Sequence, residues 1–273
     1  MQFTVRSKAP PVDHNIGILK KYSEKNYRLT VMNTIRIAGY EERDKKPIQR
    51  KRGEVGNEVK LEESLRRSKR MVWELAMCNE WQYFVTLTIN AEKADRYALD
   101  TIIKRLGKWL NNYNSRCGAE VKYLLVPEMH KDGAWHLHGL LMGLPLSHLM
   151  LFRTSDHIPR RIKQLLENGR FIYDWPAYAK AFGYVTVEPI IDHERCAGYM
   201  SKYITKGLQE SSIALNAHVY YRSHGLKRAE ELYRGHVTRS LQEPDFENEY
   251  VHIKTFGAAE DALPYFCDEE EFE

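Results

Sequence analysis

The chain has 273 residues, 43% hydrophobic and 29% charged, with a formal net charge of +4, a profile that fits an ordinary soluble globular protein. No apolar run approaches the roughly 20 residues that a membrane span needs, and the opening MQFTVRSKAPP lacks the apolar core of a secretory signal. The cysteines Cys78, Cys117, Cys196 and Cys267 stand at no metal-ligand spacing and read as reduced thiols of a cytoplasmic protein.

The charge is unevenly spread, about +9 over residues 1–70 and about −10 over residues 243–273. This divides the chain into a basic N-terminal extension, 1–58, a central domain, 59–242, and an acidic C-terminal tail, 243–273. The front suits a polyanionic partner such as nucleic acid, and its cations Lys45, Lys46, Arg50, Lys51 and Arg52 fall in a segment, 41–58, with few apolar residues. The tail, ending CDEEEFE, reads as solvated and disordered.

In chain order, residues 59–79 place Leu61, Leu65, Val72, Leu75 and Ala76 at helical spacing. YFVTLTIN alternates as a strand from residue 83. The stretch from Ala91 is a long amphipathic helix ending near Gly118. VKYLLVPEMH and WHLHGLLMG are two strands joined by a turn at KDG. Residues 145–180 are irregular. FGYVTVEPI is a further strand, and a helix capped by Asp192 runs to Gly207. The order predicts an α+β fold, a ferredoxin/RRM-like antiparallel sheet with helices on one face.

Two constellations carry chemistry. In a strand, residues i and i+2 share a face, so His136 and His138 project together. A hairpin through KDG returns Glu128 opposite them. Two imidazoles and a carboxylate with open positions suit Mg²⁺ or Mn²⁺ more than Zn²⁺. Downstream, in YMSKYITKG, Tyr199 and Tyr203 stand one helical turn apart, and Lys202 and Lys206 each follow a tyrosine by three residues. A phenol titrates near 10, and a neighbouring ammonium favours its ionised, nucleophilic form. Thr86 and Thr88 share a face of the first central strand and read as structural.

HLHGLL with a downstream Tyr-x-x-Lys helix resembles the HUH endonucleases, whose first motif FVTLTI also resembles. PE before the histidines and YYRSHGLKR after the tyrosines extend the likeness, which covers roughly residues 62–228. Within that superfamily the chain is most similar to rolling-circle replication initiators (Rep proteins) of single-stranded DNA phages and bacterial plasmids. The resemblance implies histidines on a central strand, with Glu128, His136 and His138 binding Mg²⁺ or Mn²⁺. It implies attack by a tyrosine on single-stranded DNA at a replication origin, giving a 5′-phosphotyrosine and a free 3′-hydroxyl that primes a host polymerase. Tyr203 is then the first nucleophile and Tyr199 its partner, with Lys202 and Lys206 steadying phosphate charge. No phosphate-binding Gly-x-x-x-x-Gly-Lys-[Ser/Thr] loop is present, so unwinding falls to a host helicase, in the cytoplasm of a bacterial host. Two rivals stay open: a transposase or relaxase of the same superfamily, and a non-catalytic protein that binds single-stranded nucleic acid.

Overall fold

In the computed structural model the described residues are 15–32, 58–210, 218–248 and 250–266, with side chains described from 64 in the first helix and to 204 in the last. The strands and α-helices run β1 (Ile16–Ser23), β2 (Asn26–Met32), α1 (Glu58–Cys78), β3 (Tyr83–Thr88), α2 (Leu99–Cys117), β4 (Lys122–Met129), β5 (Trp135–Met142), β6 (Met150–Leu151), α3 (Arg160–Glu167), β7 (Tyr173–Asp174), α4 (Pro176–Ala181), β8 (Val185–Pro189), α5 (His193–Glu210), β9 (Tyr221–Arg222), β10 (Glu230–His236), β11 (Phe246–Glu247) and β12 (Val251–Phe256). The fold is α+β with two antiparallel sheets. The chain divides into two compact units, residues 52–227 and residues 1–51 with 228–273. Among the described residues no helix is long and apolar enough to cross a membrane.

The larger unit is built on a seven-stranded sheet ordered β6-β7-β8-β3-β5-β4-β9. β5, which carries the histidines, is flanked by β3 and β4 and so is central. One face of the sheet presents Tyr83, Val85 and Leu87 of β3, Leu137 and Leu141 of β5, and Val185 and Val187 of β8. Ile102, Leu106, Leu110 and Tyr113 of α2 pack on it with Trp175, Tyr178 and Phe182. The last four aromatic rings meet Trp109 in a cluster of edge-on and stacked contacts, with Trp109 centroids 5.2–6.0 Å from the others. Such rings bury large areas and lock against one another.

The opposite face is also covered. Rings of α5 lie against Phe84 and His138, and Met200 and Ile204 of α5 are buried, as are Val72, Leu75 and Ala76 of α1. The expectation of helices on one face alone is therefore corrected: α2 and α4 cover one face, and α5 covers the other. The cause is readable in β4, where Leu124, Leu125 and Val126 are buried in succession. A strand apolar on both sides needs a layer on both sides.

Local chemistry explains the helix limits. α2 begins at Leu99, later than its apolar periodicity suggests. Asn90 and Asp95 accept backbone N–H bonds from Glu92 and Tyr97, both at 2.9 Å, and such Asx turns compete with helix. The helix ends at Gly118, φ 60°, a left-handed conformation that glycine adopts without Cβ strain. At the head of α5, Asp192 accepts from the Arg195 N–H at 2.9 Å, the cap expected there. Gly207 does not stop this helix, which continues to Glu210. The region 145–180 is more ordered than its sequence suggests, holding β6, α3, β7 and α4.

The smaller unit draws its strands from both ends of the chain, in the order β10-β1-β2-β12-β11. Leu19, Leu29, Val31, Val237, Leu241, Ala262 and Phe266 form its core. Here the structure differs from the expectation of an extension and a solvated tail. β1 and β2 lie within residues 1–58, and β11 and β12 within 243–273. Net charge describes solubility and partners, not fold, and it masked the short apolar alternations around Leu19, Leu29 and Ile253. Lys45, Lys46, Arg50, Lys51, Arg52 and the closing CDEEEFE lie outside the described residues.

Candidate active site

The site is assembled on the α5 face of the large sheet. In β3, Phe84, Thr86 and Thr88 alternate with the core residues Tyr83, Val85 and Leu87. Register then fixes their neighbours: Thr86 pairs with His138 and Thr88 with His136 across β3–β5, and Glu128 pairs with His136 across β4–β5. The hairpin therefore returns Glu128 opposite the histidines, as its sequence spacing predicts. The turn is held by Asp132, which accepts the Ala134 N–H at 3.0 Å and meets Arg96 at 3.2 Å.

Each histidine is fixed by a threonine. Thr86 Oγ1 lies 3.1 Å from His138 Nδ1 and Thr88 Oγ1 3.3 Å from His136 Nδ1. Glu128 Oε2 meets His138 Nε2 at 2.6 Å. His138 is 8% exposed. The pKa of His136 is lowered, first by burial and then by the neighbouring His138 and His130, against the opposing pull of Glu128 and Asp132. That keeps its imidazole neutral, the form that binds metals.

Gly139, next to His138, has a steric reason. A Cβ there would fall 2.3 Å from the Leu124 carbonyl oxygen and 2.5 Å from Leu125 Cδ2. Only glycine lets β4 approach β5 closely enough for Glu128 to reach His138.

α5 adds the phenols. The Tyr203 ring stacks on His138 with centroids 4.2 Å apart and an interplanar angle of 14°. Tyr199 meets Tyr203 edge-on at 5.0 Å, and the Tyr203 hydroxyl donates to the Tyr199 hydroxyl at 2.9 Å. Phe84 packs against both, at 5.6 and 6.4 Å. The hydroxyl of Tyr203 is held well above the ordinary phenol range, by burial first, then by its bond to Tyr199 and the negative charges near it. Arg161 pulls the other way. Tyr199 is 43% exposed.

The expected residues are thus brought together unevenly. Glu128, His136, His138, Tyr199 and Tyr203 converge. Lys202 is exposed and, among the described residues, makes no hydrogen bond or ion pair with either tyrosine. The Lys206 side chain lies outside the described residues. The cation that acts on Tyr203 is Arg161, from α3, which the sequence reading passes over. His130, whose ring lies 5.4 Å from that of His136, and Phe84 are missed as well. Phe84 had a usable signal, since it shares its strand face with Thr86 and Thr88.

The donor set, two neutral-capable imidazoles and a carboxylate, has the chemistry for a divalent cation, and the threonine bonds to Nδ1 supply the outer support typical of metal-binding histidines. Among the described residues no group of three such side chains stands at coordinating geometry. Glu128 instead closes directly on His138 Nε2, and admitting an ion requires that bond to open.

A buried carboxylate–histidine pair, roofed by two hydrogen-bonded tyrosines on a central strand of an antiparallel sheet, defines the class of site. Residues 82–208 match the model of a family described as a replication-associated protein of the ORF2 type. The matched stretch contains Glu128, both histidines and both tyrosines, and over it the chain is similar to a family tied to DNA replication. No curated protein and no solved structure matches the chain.

Proposed function

We propose that the protein initiates rolling-circle replication, nicking and rejoining single-stranded DNA at an origin as an HUH endonuclease. The observation that carries this is the Tyr203 ring stacked on His138, whose Nε2 meets Glu128. Three separate elements thereby bring nucleophile and ligand types to one spot. The family match at residues 82–208 supports the replication context.

Glu128, His136 and His138 would hold Mg²⁺ or Mn²⁺, which when bound polarises the scissile phosphate. A tyrosine oxygen bonds to phosphorus as the bond from phosphorus to the 3′-oxygen breaks. The tyrosine loses its proton and the leaving oxygen gains one. Bond energy is kept in the 5′-phosphotyrosine, so the second tyrosine can reopen the regenerated junction and the strand can be rejoined. The hydrogen-bond arrangement favours Tyr199 for first attack, the reverse of the order the resemblance implies. Tyr199 is the more exposed hydroxyl, and a bond donated by Tyr203 stabilises its ionised form. Unwinding and synthesis fall to a host helicase and polymerase.

The test is incubation with a random-sequence single-stranded DNA library and Mn²⁺, followed by a denaturing gel. A covalent protein–DNA band is expected. Trypsin separates Tyr199 (residues 196–202) from Tyr203 (residues 203–206), so the attached nucleotide can be mapped. Undiminished adduct from a folded His136→Ala/His138→Ala variant in chelator would sink the reading.

A further inference from the structure

Between β5 and β8 the chain makes an excursion that the nuclease reading leaves without a role. Its helix α3 has no buried residue. Residues 145–172 hold five Lys or Arg against two Asp or Glu, and Asp156 is engaged by the Arg153 backbone N–H at 2.7 Å. Arg153, Arg160 and Arg161 are exposed. So are large apolar side chains, Met150 and Phe171 at 63% each. Buried apolar faces normally stabilise a short helix, and here the apolar residues stand among cations instead.

The excursion lies on the tyrosine face. Arg170 Nη2 binds Glu188 Oε2 at 2.6 Å. Glu188 pairs with Phe84 across β3–β8, and Phe84 packs on Tyr199. Two links thus connect Phe171's neighbour to the candidate nucleophiles. The influence of Arg161 on Tyr203 agrees with this placement.

We propose that residues 150–171 form a second contact surface for single-stranded DNA, flanking the tyrosines, with Arg153 and Arg160 on phosphates and Phe171 as a stacking platform for a base. A groove of cations with an exposed aromatic ring is what an unpaired strand requires, since each phosphate wants a cation and each base has a face to stack. A protein partner would favour an apolar centre depleted in charge, and the arginines here are interleaved with the apolar residues. This surface rests on the nuclease reading only for the direction of the strand, toward the tyrosines.

The experiment measures binding of a fluorescent thirty-nucleotide oligo(dT) by the full chain in chelator, over a range of salt. Arg153→Glu/Arg160→Glu is expected to weaken binding about tenfold or more and to flatten the logarithmic salt slope by about 1.4, two phosphates at 0.7 each. Lys104→Glu/Lys108→Glu, exposed on α2 across the sheet, changes net charge equally and is expected to do much less. Phe171→Ala should lower affinity several-fold, and bromodeoxyuridine in the strand should photocrosslink to the tryptic peptide 171–180. Circular dichroism confirms that each variant is folded. Equal losses for both double variants, or no loss in either, overturn the proposal. So does retained DNA binding combined with capture of a protein on this surface. An arginine-sensitive strand affinity without any covalent adduct in Mn²⁺ would instead retain the surface and sink the nickase reading.

Discussion

The two faces of the large sheet solve opposite problems with the same strands. Under α2 and α4, Leu137, Val85 and Val187 sit fully buried among interlocked aromatic rings. Under α5, the alternate positions of the same strands carry Thr86, Thr88, His136, His138 and Glu128, each hydrogen-bonded or paired with a neighbour. One face supplies stability through burial. The other places polar groups where they are only partly desolvated, and satisfies them locally. A one-residue step along β5, from His136 to Leu137, crosses from one regime to the other.

That step offers the sharpest test. His136→Ala should abolish Mn²⁺-dependent adduct formation while changing stability by no more than about 1 kcal/mol, since one hydrogen bond to Thr88 is lost. Leu137→Ala should cost about 2–5 kcal/mol through the cavity it opens. Denaturant unfolding and the adduct gel, run on both variants, check the contrast. Comparable destabilisation by the two would mean that the faces are not energetically distinct.

Next in size are the tyrosines. Tyr199→Phe should leave little adduct in a short incubation, and what forms should map to the peptide 203–206. Tyr203→Phe keeps the ring on His138 but removes the donor to Tyr199, so adduct on 196–202 should form more slowly. The opposite pattern in the peptide maps would restore Tyr203 as first nucleophile.

A smaller effect is expected from Thr86→Val, which preserves shape and removes the partner of His138 Nδ1. Outer-shell losses of this kind cost about 10–100-fold in metal affinity, measurable by Mn²⁺ titration of the folded variant. Unchanged affinity would assign Thr86 to packing alone.

The smallest prediction concerns how well α5 seals its face. Burial, and then the charge of Asp192, push the Cys196 thiol up to about 11, so at pH 8 it remains protonated and slow to react. Cys117, at the exposed end of α2, should be alkylated first. Peptide mapping of a timed iodoacetamide reaction reads the order. Equal rates would reveal that α5 lifts readily from the sheet.

Much of the site was legible because its geometry is local. A period of two puts His136 and His138 on one side, a short turn fixes the register of Glu128, and a period of 3.6 sets Tyr199 above Tyr203. Each inference spans a single hairpin or a single helix. Lys202 shows where such reasoning stops: its spacing from Tyr199 was right for a helix, yet its side chain faces solvent, and the cation near Tyr203 comes from α3 instead.

The sequence by itself determined the strand and helix periods, the cap at Asp192, the α+β class and the carboxylate–histidine hairpin, because each depends on neighbours a few residues away. Tertiary structure alone decided that helices cover both faces of the large sheet, that the two chain ends share a second sheet, and that Tyr203 stacks on His138 beneath Phe84. Those pairings join segments far apart in the chain. They are selected by which apolar surfaces can be buried against each other, a property of the assembled layers that no local pattern records.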